Sequence, residues 1–355
     1  MDRSGNIMKI GLIGLPSTGK TTFFNLLTSG ESSTGVRTAK IPDARIDHLA
    51  EVYKPKKVTL ATVEVTDIKG IIPGSSSSFH YLEAIRQADA LVHVVRAFND
   101  EDVMHIDGSV DVMRDIYTLN SELLLTDLAV IENRIEKINS GKKVTKDHLA
   151  ELEVLKKCQA CLESESLIGS LELDPSEKQL IRTYNFLTEK PMILLINLDE
   201  EQYRSSDYPG RAEVSAYTVS KKIPLLEVCA RTELEISELD EEDRIIFMED
   251  LGIRETGLSK LASAMYGQLG LISFLTVGED EVRAWPVKKG ISAKAAGGRI
   301  HSDIERGFIR AEVVKYEDLK RLGSMLKVKE AGLARLEGKD AVIEDGDIIN
   351  FRFNV

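Results

Sequence analysis

The stretch GLPSTGKT at residues 14–21 fits the pattern G-x-x-x-x-G-K-[ST]. The apolar run Ile7–Ile13 precedes it and predicts a buried strand, and the sequence from Thr21 onward begins a helix. Glycines let successive backbone N–H groups curl around phosphates, and the N-terminus of a helix adds a partial positive charge. The stretch therefore predicts a loop that binds the phosphates of a nucleoside triphosphate.

The lysine and threonine that end this loop carry its predicted chemistry. Lys20 can reach the β- and γ-phosphates, which makes it a predicted catalytic residue, and the Thr21 hydroxyl can ligate Mg²⁺. The residues of this loop that we expect to bind nucleotide are Gly14, Pro16, Ser17, Thr18, Gly19, Lys20, Thr21 and Thr22.

A second phosphate-site signal follows the next predicted inner strand, which begins at Thr62. Asp67 ends this run, and Gly70 comes three residues later. In a P-loop fold an acid at this place holds Mg²⁺ while the glycine N–H meets the γ-phosphate, so we predict Asp67 as a metal residue and Gly70 as a nucleotide-binding residue. Ile71 follows. Because a hydrophobic side chain cannot orient the attacking water, we expect slow hydrolysis or a nucleophile-positioning group from elsewhere.

A base-reading signal follows the predicted strand Met192–Ile196. Asn197, Leu198 and Glu200 stand where guanine readers have the motif N-K-x-D, whose aspartate accepts two hydrogen bonds from the base. Glu200 is one methylene longer than that aspartate, and Leu198 replaces the lysine. The pattern therefore predicts that ATP binds at least as well as GTP. A polar loop that merely follows a strand is the alternative.

Composition bounds the class of protein. The chain has 355 residues, of which 43% are hydrophobic and 29% charged, as in a globular protein of two or three units. No apolar stretch of about 18 residues and no leader-like N-terminus occurs, so we expect no membrane partner and a cytoplasmic location. Of the three cysteines, Cys158 and Cys161 are interpreted as small apolar residues of a helix and not as a redox pair.

Charge is unevenly distributed along the chain. The net charge of −12 argues against nonspecific coating of nucleic acid, and we expect no DNA partner. Residues 271–355 carry 15 Lys/Arg against 14 Asp/Glu. An RNA contact would therefore use this tail.

Strands that alternate with helices predict an α/β fold, with a mostly parallel sheet and helices on both faces. A heptad seam of leucines and isoleucines between Leu124 and Ile138, followed by leucines between Leu149 and Leu162, predicts a coiled-coil hairpin that projects from the sheet. Two ordinary surface helices are the alternative. Short strand-like runs at 309–314, 341–343 and 348–353 predict a separate α+β unit. The predicted domains are 1–270 for nucleotide binding, with a helical insertion at 118–190, and 271–355.

Several further runs resemble the YchF-type, or Obg-like, ATPase family of P-loop proteins. The base-reading variant at 197–200 and the base-side loop at 228–230 are similar to that family. The runs 281–285, 300–313 and 344–349 resemble the family's C-terminal TGS domain, a β-grasp unit. We therefore identify the chain as a member of this family.

The resemblance implies a slow ATPase that associates with the ribosome or its RNA and regulates translation or a stress response. It implies that Cys229 and Ala230 flank the base. It also implies that a histidine in the loop after the strand that follows Asp67 supports hydrolysis, and His105 is the match. A solvated loop histidine without a catalytic part is the alternative for His105.

Departures from the family pattern qualify these expectations. Ser17 stands where an asparagine is linked to potassium use, so potassium dependence is in doubt. The first switch region is shortened, which leaves Thr34 and Thr38 as candidate ligands that sense the γ-phosphate. The second switch, at residues 74–79, is abbreviated too. Binding should survive these losses better than fast hydrolysis.

The sequence is also compatible with three other functions. A nucleotide-binding scaffold with almost no turnover is favoured by the short switches and Ile71. A GTP-specific switch is favoured only by Asn197. An RNA-binding adaptor would use the tail and keep nucleotide as a structural element.

Overall fold

The computed structural model describes residues 8–28, 35–68, 70, 78–141 and 145–354. The chain divides into two compact units, each formed by separate stretches of sequence. Unit 1 comprises Met1–Met8, Arg37–Glu64 and Ser259–Val355, and unit 2 comprises Lys9–Val36 and Val65–Leu258. Unit 1 thus takes in residues 37–64 with the tail. The domain limits 1–270, 118–190 and 271–355 remain predictions.

Strands and helices alternate along the described chain. The strands are β1 (Lys9–Ile13), β2 (Val36–Ile41), β3 (Lys57–Thr59), β4 (Ala61–Asp67), β5 (Ala90–Arg96), β6 (Met192–Asn197), β7 (Leu225–Val228), β8 (Leu271–Thr276), β9 (Glu281–Lys288), β10 (Phe308–Lys315), β11 (Arg335–Glu337) and β12 (Asp347–Phe353). The helices are α1 (Lys20–Thr28), α2 (Ala44–Tyr53), α3 (Ser78–Gln87), α4 (Val112–Asn139), α5 (Lys146–Glu163), α6 (Pro175–Ile181), α7 (Glu200–Ser205), α8 (Arg211–Lys221), α9 (Ala230–Glu238), α10 (Glu241–Asp250), α11 (Gly257–Gln268), α12 (Ala293–Ile300), α13 (Ser302–Arg306), α14 (Tyr316–Leu322) and α15 (Met325–Glu330).

The sheet of unit 2 has the strand order β4-β1-β5-β6-β7, and the β1–β5, β5–β6 and β6–β7 pairs are parallel. Helices cover both of its faces, which confirms the predicted α/β class. Leu91 and Val95, on one face of β5, lie in clusters with residues of α4 such as Ile116 and Leu119. Parallel strands buried on both faces read as continuous apolar runs, which is why these strands were predictable.

Helices α4 and α5 are joined by a short connection and pack on each other. Ile131 and Ile138 of α4 are buried against Val154 and Leu155 of α5. Leu149, one of the leucines predicted for the returning helix, is 52% exposed instead. Cys158 and Cys161 are buried free thiols, and burial raises the pKa of Cys158 to about 12, so the apolar interpretation of this pair is confirmed.

The sheet of unit 1 has the strand order β11-β10-β12-β8-β9-β3. It is mixed, because β12 pairs in parallel with β8 and β3 in parallel with β9, whereas β8–β9, β10–β12 and β10–β11 are antiparallel. Phe274, Val313 and Ile349 form part of its core. The strand predicted at 341–343 is wrong: only Val342 bridges to Ser292, because the run is held between two turns.

Residues 37–64 are tied to the tail inside unit 1. The Arg45 guanidinium donates to Asp345 at 2.7 Å, and Lys57–Thr59 pair with the start of β9. The Asp345 carboxylate also accepts the Ser273 N–H at 2.8 Å. Removal of the tail would therefore strip α2 and β3 of their partners. None of the helices described is both long and apolar enough to cross a membrane.

Candidate nucleotide-binding site

The predicted phosphate-binding loop connects β1 to α1 in unit 2, and its two glycines are required by geometry. Gly14 has φ 151°, and a Cβ there would lie 2.3 Å from the Val94 carbonyl oxygen. Gly19 has φ 92°, and its Cβ would lie 2.3 Å from the Asn197 side-chain nitrogen. Both conformations are rare for residues with a side chain. The loop therefore depends on glycine at its two ends.

Lys20, the first residue of α1, points back into this loop. Its ammonium donates to the Leu15 carbonyl oxygen at 2.6 Å, and the side chain of Thr18 donates to the same oxygen at 3.2 Å. Burial lowers the pKa of Lys20 to about 8, partly offset by the charge of Asp67. A cation held in this way among backbone groups suits an anionic ligand.

Thr21 and Asp67 bring two hard oxygen donors together. The Thr21 hydroxyl donates to the Asp67 carboxylate at 2.7 Å, which joins the start of α1 to the end of β4. A Cβ on Gly70 would lie 2.7 Å from the Pro16 nitrogen, so only glycine lets this backbone approach the loop. Carboxylate and hydroxyl oxygens are ligands that suit Mg²⁺. The donors present therefore fit a magnesium ion.

The other predicted loop residues lie at its surface. Ser17 and Thr22 are exposed, and Pro16 is half-buried. Ser17 has φ 60°, a left-handed conformation that non-glycine residues seldom adopt. These side chains are therefore accessible to a ligand.

Asn197 holds two loops together. Its Nδ2 donates to the Thr18 carbonyl oxygen at 3.0 Å, and its Oδ1 accepts the Ala230 N–H at 3.1 Å. Cys229 precedes α9, and its sulfur accepts the Thr232 N–H at 3.5 Å. Since its oxygen and nitrogen are both engaged, Asn197 contributes by positioning the phosphate loop against the loop before α9.

The two residues that follow Asn197 in the predicted base-reading motif point in different directions. Leu198 is buried in an apolar cluster with Val95 and Ile196, so its side chain supports the core. Glu200 opens α7 and is half-exposed, with its carboxylate 3.4 Å from the Arg231 guanidinium. Glu200 is thus available at the surface beside a cation, whereas Leu198 is not.

His105 is buried, contrary to the alternative of a solvated loop histidine. Its side chain is 3% exposed, and Nε2 lies 2.8 Å from the Asp115 carboxylate. Its Nδ1 accepts the Asp107 N–H at 3.1 Å, so Nε2 carries the proton and donates to Asp115. Arg114 donates to the other oxygen of Asp115 at 3.0 Å. His105 can act as a base only after Nδ1 gives up the Asp107 N–H.

The sequence interpretation missed the residues that hold this loop. Asp115 and Arg114 stand in the first turn of α4, ten and nine positions after His105, with no motif that links them. The fully buried Arg96 donates to the carbonyl oxygens of Phe98, Val103 and Asp100 at 2.8–3.2 Å. An arginine at the end of a largely apolar strand is the one signal in the sequence.

The structure describes the predicted switch residues only in part. Thr34, Ile71 and residues 74–77 lie outside the described residues. Thr38 lies in β2 with its side chain exposed. The choice of a γ-phosphate-sensing threonine therefore remains a prediction.

Two family models match the chain. One, described as a 50S ribosome-binding GTPase, matches residues 9–125, and the YchF-GTPase_C model, described as a protein of unknown function, matches residues 271–354. The solved structure of the Schizosaccharomyces pombe YchF GTPase has a TM-score of 0.89 and 30% identity and covers 99% of both chains. A GTP binding protein from Pyrococcus horikoshii OT3 shares the fold, with a TM-score of 0.60 and 16% identity over 98% of this chain and 100% of that one.

Full-length relatives agree with these matches. A Bacillus subtilis (strain 168) protein named ribosome-binding ATPase YchF is 42% identical over 361 residues, which cover 97% of this chain and 99% of the relative. An Escherichia coli O157:H7 protein of the same name is 40% identical over 365 residues, 98% of this chain and 99% of the relative. The resemblance predicted from the motifs is confirmed, and the chain belongs to the YchF family.

Proposed function

We propose that this protein is a slow ATPase that binds ATP with Mg²⁺, cleaves it to ADP and phosphate, and associates with the ribosome. The ATPase part of this proposal is carried by one observation: Lys20, Thr21 and Asp67 converge at one loop. The Lys20 ammonium interacts electrostatically with the Asp67 carboxylate, and the Thr21 hydroxyl lies 2.7 Å from that carboxylate. These are the groups that bind the phosphates and Mg²⁺ in phosphoryl transfer from a nucleoside triphosphate.

Each side chain has a separate part in this proposal. The backbone N–H groups between Gly14 and Gly19 cradle the phosphates, and Lys20 exchanges the Leu15 carbonyl oxygen for phosphate oxygens. Thr21 and Asp67 would hold the magnesium ion, which when bound neutralises charge on the phosphate oxygens. The glycine at position 70 brings its backbone against the loop.

The names of the bacterial relatives, ribosome-binding ATPase, support the ribosome as partner, and with it a cytoplasmic place and a role in translation or stress. The charges of the two units support unit 1 as the part that meets RNA. Unit 1 has 23 Lys/Arg against 19 Asp/Glu, whereas unit 2 has 23 against 39. The net negative charge of unit 2 repels RNA phosphates, whereas the small net positive charge of unit 1 does not.

Glu200 and Leu198 support a preference for adenine. A guanine reader needs a carboxylate that accepts two N–H bonds, and Glu200 stands beside Arg231, which competes for the same oxygens. Leu198 is buried, so it offers no packing or charge to a base. Nothing in this arrangement favours guanine over adenine.

We therefore expect ATP to bind at least as tightly as GTP. Titration calorimetry with both nucleotides and Mg²⁺ measures the two affinities directly. Glu200→Asp is expected to recover guanine affinity only partly, because Leu198 stays in the core. A tenfold preference for GTP in the unaltered protein, about 1.4 kcal/mol, would refute the base assignment.

Binding to ribosomes is expected to depend on exposed lysine and arginine side chains of unit 1. The triple variant Lys289→Glu, Lys294→Glu and Arg310→Glu changes exposed side chains and keeps the chain at full length. We expect it to co-sediment with ribosomes less than the unaltered protein, and the difference to shrink as salt rises, since phosphate contacts weaken steeply with ionic strength.

The matched control reverses three exposed lysines of unit 2, Lys156, Lys178 and Lys222, for the same change in net charge. A third variant changes Lys142, Lys143 and Lys146, at the predicted tip of the hairpin; the first two lie outside the described residues. If the unit 1 variant sediments like the unaltered protein, the proposed surface on unit 1 is wrong, and loss of binding in the hairpin variant alone would assign the contact to unit 2.

A second candidate, a nucleotide-binding scaffold without turnover, is favoured by one observation. Both ring nitrogens of His105 are engaged, by Asp115 and by the Asp107 N–H, which leaves no free base in the loop. Binding would persist in such a scaffold while the phosphoanhydride stayed intact. Measurement of cleavage separates the two candidates.

A further inference from the structure

A groove in unit 2 runs between α4 and α8, apart from the nucleotide site. Its volume is about 960 Å³, which lies in the upper range of ligand-binding sites. Met113, Tyr117 and Asn120 line it from one face of α4, and Glu213 and Tyr217 line it from α8. The groove is therefore a surface with defined chemistry that the proposed ATPase does not use.

Asn120 places a buried hydrogen-bond acceptor in the wall of this groove. Asn120 is 7% exposed, and its Nδ2 donates to the Tyr217 hydroxyl at 2.8 Å. Its Oδ1 is fully buried and accepts no hydrogen bond from the residues that the structure describes. An unsatisfied buried carbonyl is unfavourable, so a ligand that donates an N–H to this oxygen gains from the contact.

The charges at the rim select a cation. Glu165 and Glu213 are exposed lining residues. The ammonium of Lys221, which also lines the groove, is turned to the Glu165 carbonyl oxygen at 3.3 Å and the Ser166 hydroxyl at 3.2 Å. The excess of carboxylates over bases in unit 2 adds a field of the same sign. A phosphate-bearing ligand such as RNA is disfavoured here.

The two tyrosines select a planar cation. Tyr117 is 50% exposed and packs its ring edge-to-face with Tyr217, at 5.8 Å between centroids. An exposed aromatic face binds a guanidinium by stacking, and a guanidinium has five N–H donors in one plane, which an ammonium lacks. One such group has the chemistry to stack on Tyr117, pair with Glu213 and, once the Asn120 side chain turns toward the groove, donate to its Oδ1.

We propose that the groove between α4 and α8 binds an arginine side chain carried by a segment of a basic protein. A guanidinium N–H donates to Asn120 Oδ1, the guanidinium plane stacks on the Tyr117 ring, and its positive charge pairs with Glu213 and Glu165. The groove is far larger than one side chain and its rim is exposed along both helices, which suits a polypeptide better than a free ion. This inference does not rest on the proposed ATPase activity.

Methyl NMR on the full-length protein, labelled at its methionine methyl groups, tests this directly. The probe is a capped pentapeptide with two arginines among glycines, and its counterpart has two lysines. We expect the arginine peptide to shift the Met113 methyl signal, assigned with Met113→Leu, and to leave those of Met104 and Met325 in place. The lysine peptide should bind at least about threefold more weakly.

Variants then identify the contacts. Asn120→Leu is expected to weaken the arginine peptide about tenfold and Glu213→Gln, at an exposed site, about threefold. Glu242→Gln on α10, with the same charge change outside the groove, should have no effect. Equal binding of the two peptides, unchanged affinity in Glu213→Gln, or a Met113 shift by an oligouridine RNA and not by the arginine peptide would each overturn the proposal.

Discussion

Replacement of Lys20 by alanine is expected to abolish ATP binding at physiological concentrations while the protein stays folded. Lys20 is the buried cation of the phosphate loop, and its ammonium donates to a loop carbonyl oxygen at 2.6 Å. Loss of a charge-assisted contact to phosphate costs about 2–3 kcal/mol or more, which weakens affinity at least ~30-fold. Calorimetry with ATP and Mg²⁺ measures the loss.

The control for this variant is Lys156→Ala, which removes the same charge from the exposed face of α5. Near-normal ATP affinity in Lys20→Ala would overturn the assignment of the phosphate loop. The pKa of about 8 for Lys20 predicts that ATP affinity depends on pH. Because phosphate favours the charged lysine, binding takes up a proton above pH 8, and affinity should fall as the pH rises through that value.

Replacement of His105 by alanine is expected to lower ATP turnover roughly 100-fold with little change in ATP affinity. In the structure His105 is oriented by Asp115, in the way that a second group orients a catalytic base. Its Nδ1 is free to accept a proton once the Asp107 N–H releases it. Single-turnover rates and calorimetry on the same preparation separate turnover from binding.

Ser109→Ala is the matched control in the same loop. It removes a hydroxyl that accepts from Arg114 at 3.1 Å and leaves His105 and Asp115 in place. If His105 only anchors the loop, the control should lower turnover comparably and both variants should unfold at lower temperature. Unchanged turnover in His105→Ala would remove this residue from the mechanism.

The phosphate loop could be predicted because its signals are local. The positive φ angles of Gly14 and Gly19 are local features of the backbone, and Lys20 follows them in the sequence. The Thr21–Asp67 contact could be predicted as well, since the carboxyl ends of neighbouring strands meet at one edge of a sheet. Roles that follow from a local motif or from the order of neighbouring strands can therefore be predicted from a single sequence.

Other features depend on packing that no local pattern encodes. The burial of Leu198 follows from the cluster around β5 and β6, not from its place in a motif. The His105–Asp115 pair joins a loop to a helix start, and only the fold brings the two together. Likewise β3 is only three residues long, too short to show an alternation of apolar and polar residues. It nevertheless forms an edge of the sheet in unit 1, where it pairs with β9.

Single-turnover cleavage of ATP, with and without ribosomes, tests whether this protein is an ATPase. Labelled ATP is mixed with excess protein and Mg²⁺, and released phosphate is followed for the unaltered protein and for Lys20→Ala. We expect the unaltered protein to cleave ATP slowly and GTP no faster than ATP, and we expect no cleavage by Lys20→Ala. ATP that stays intact while bound, with ribosomes present or absent, would contradict the proposed ATPase and leave a nucleotide-binding scaffold.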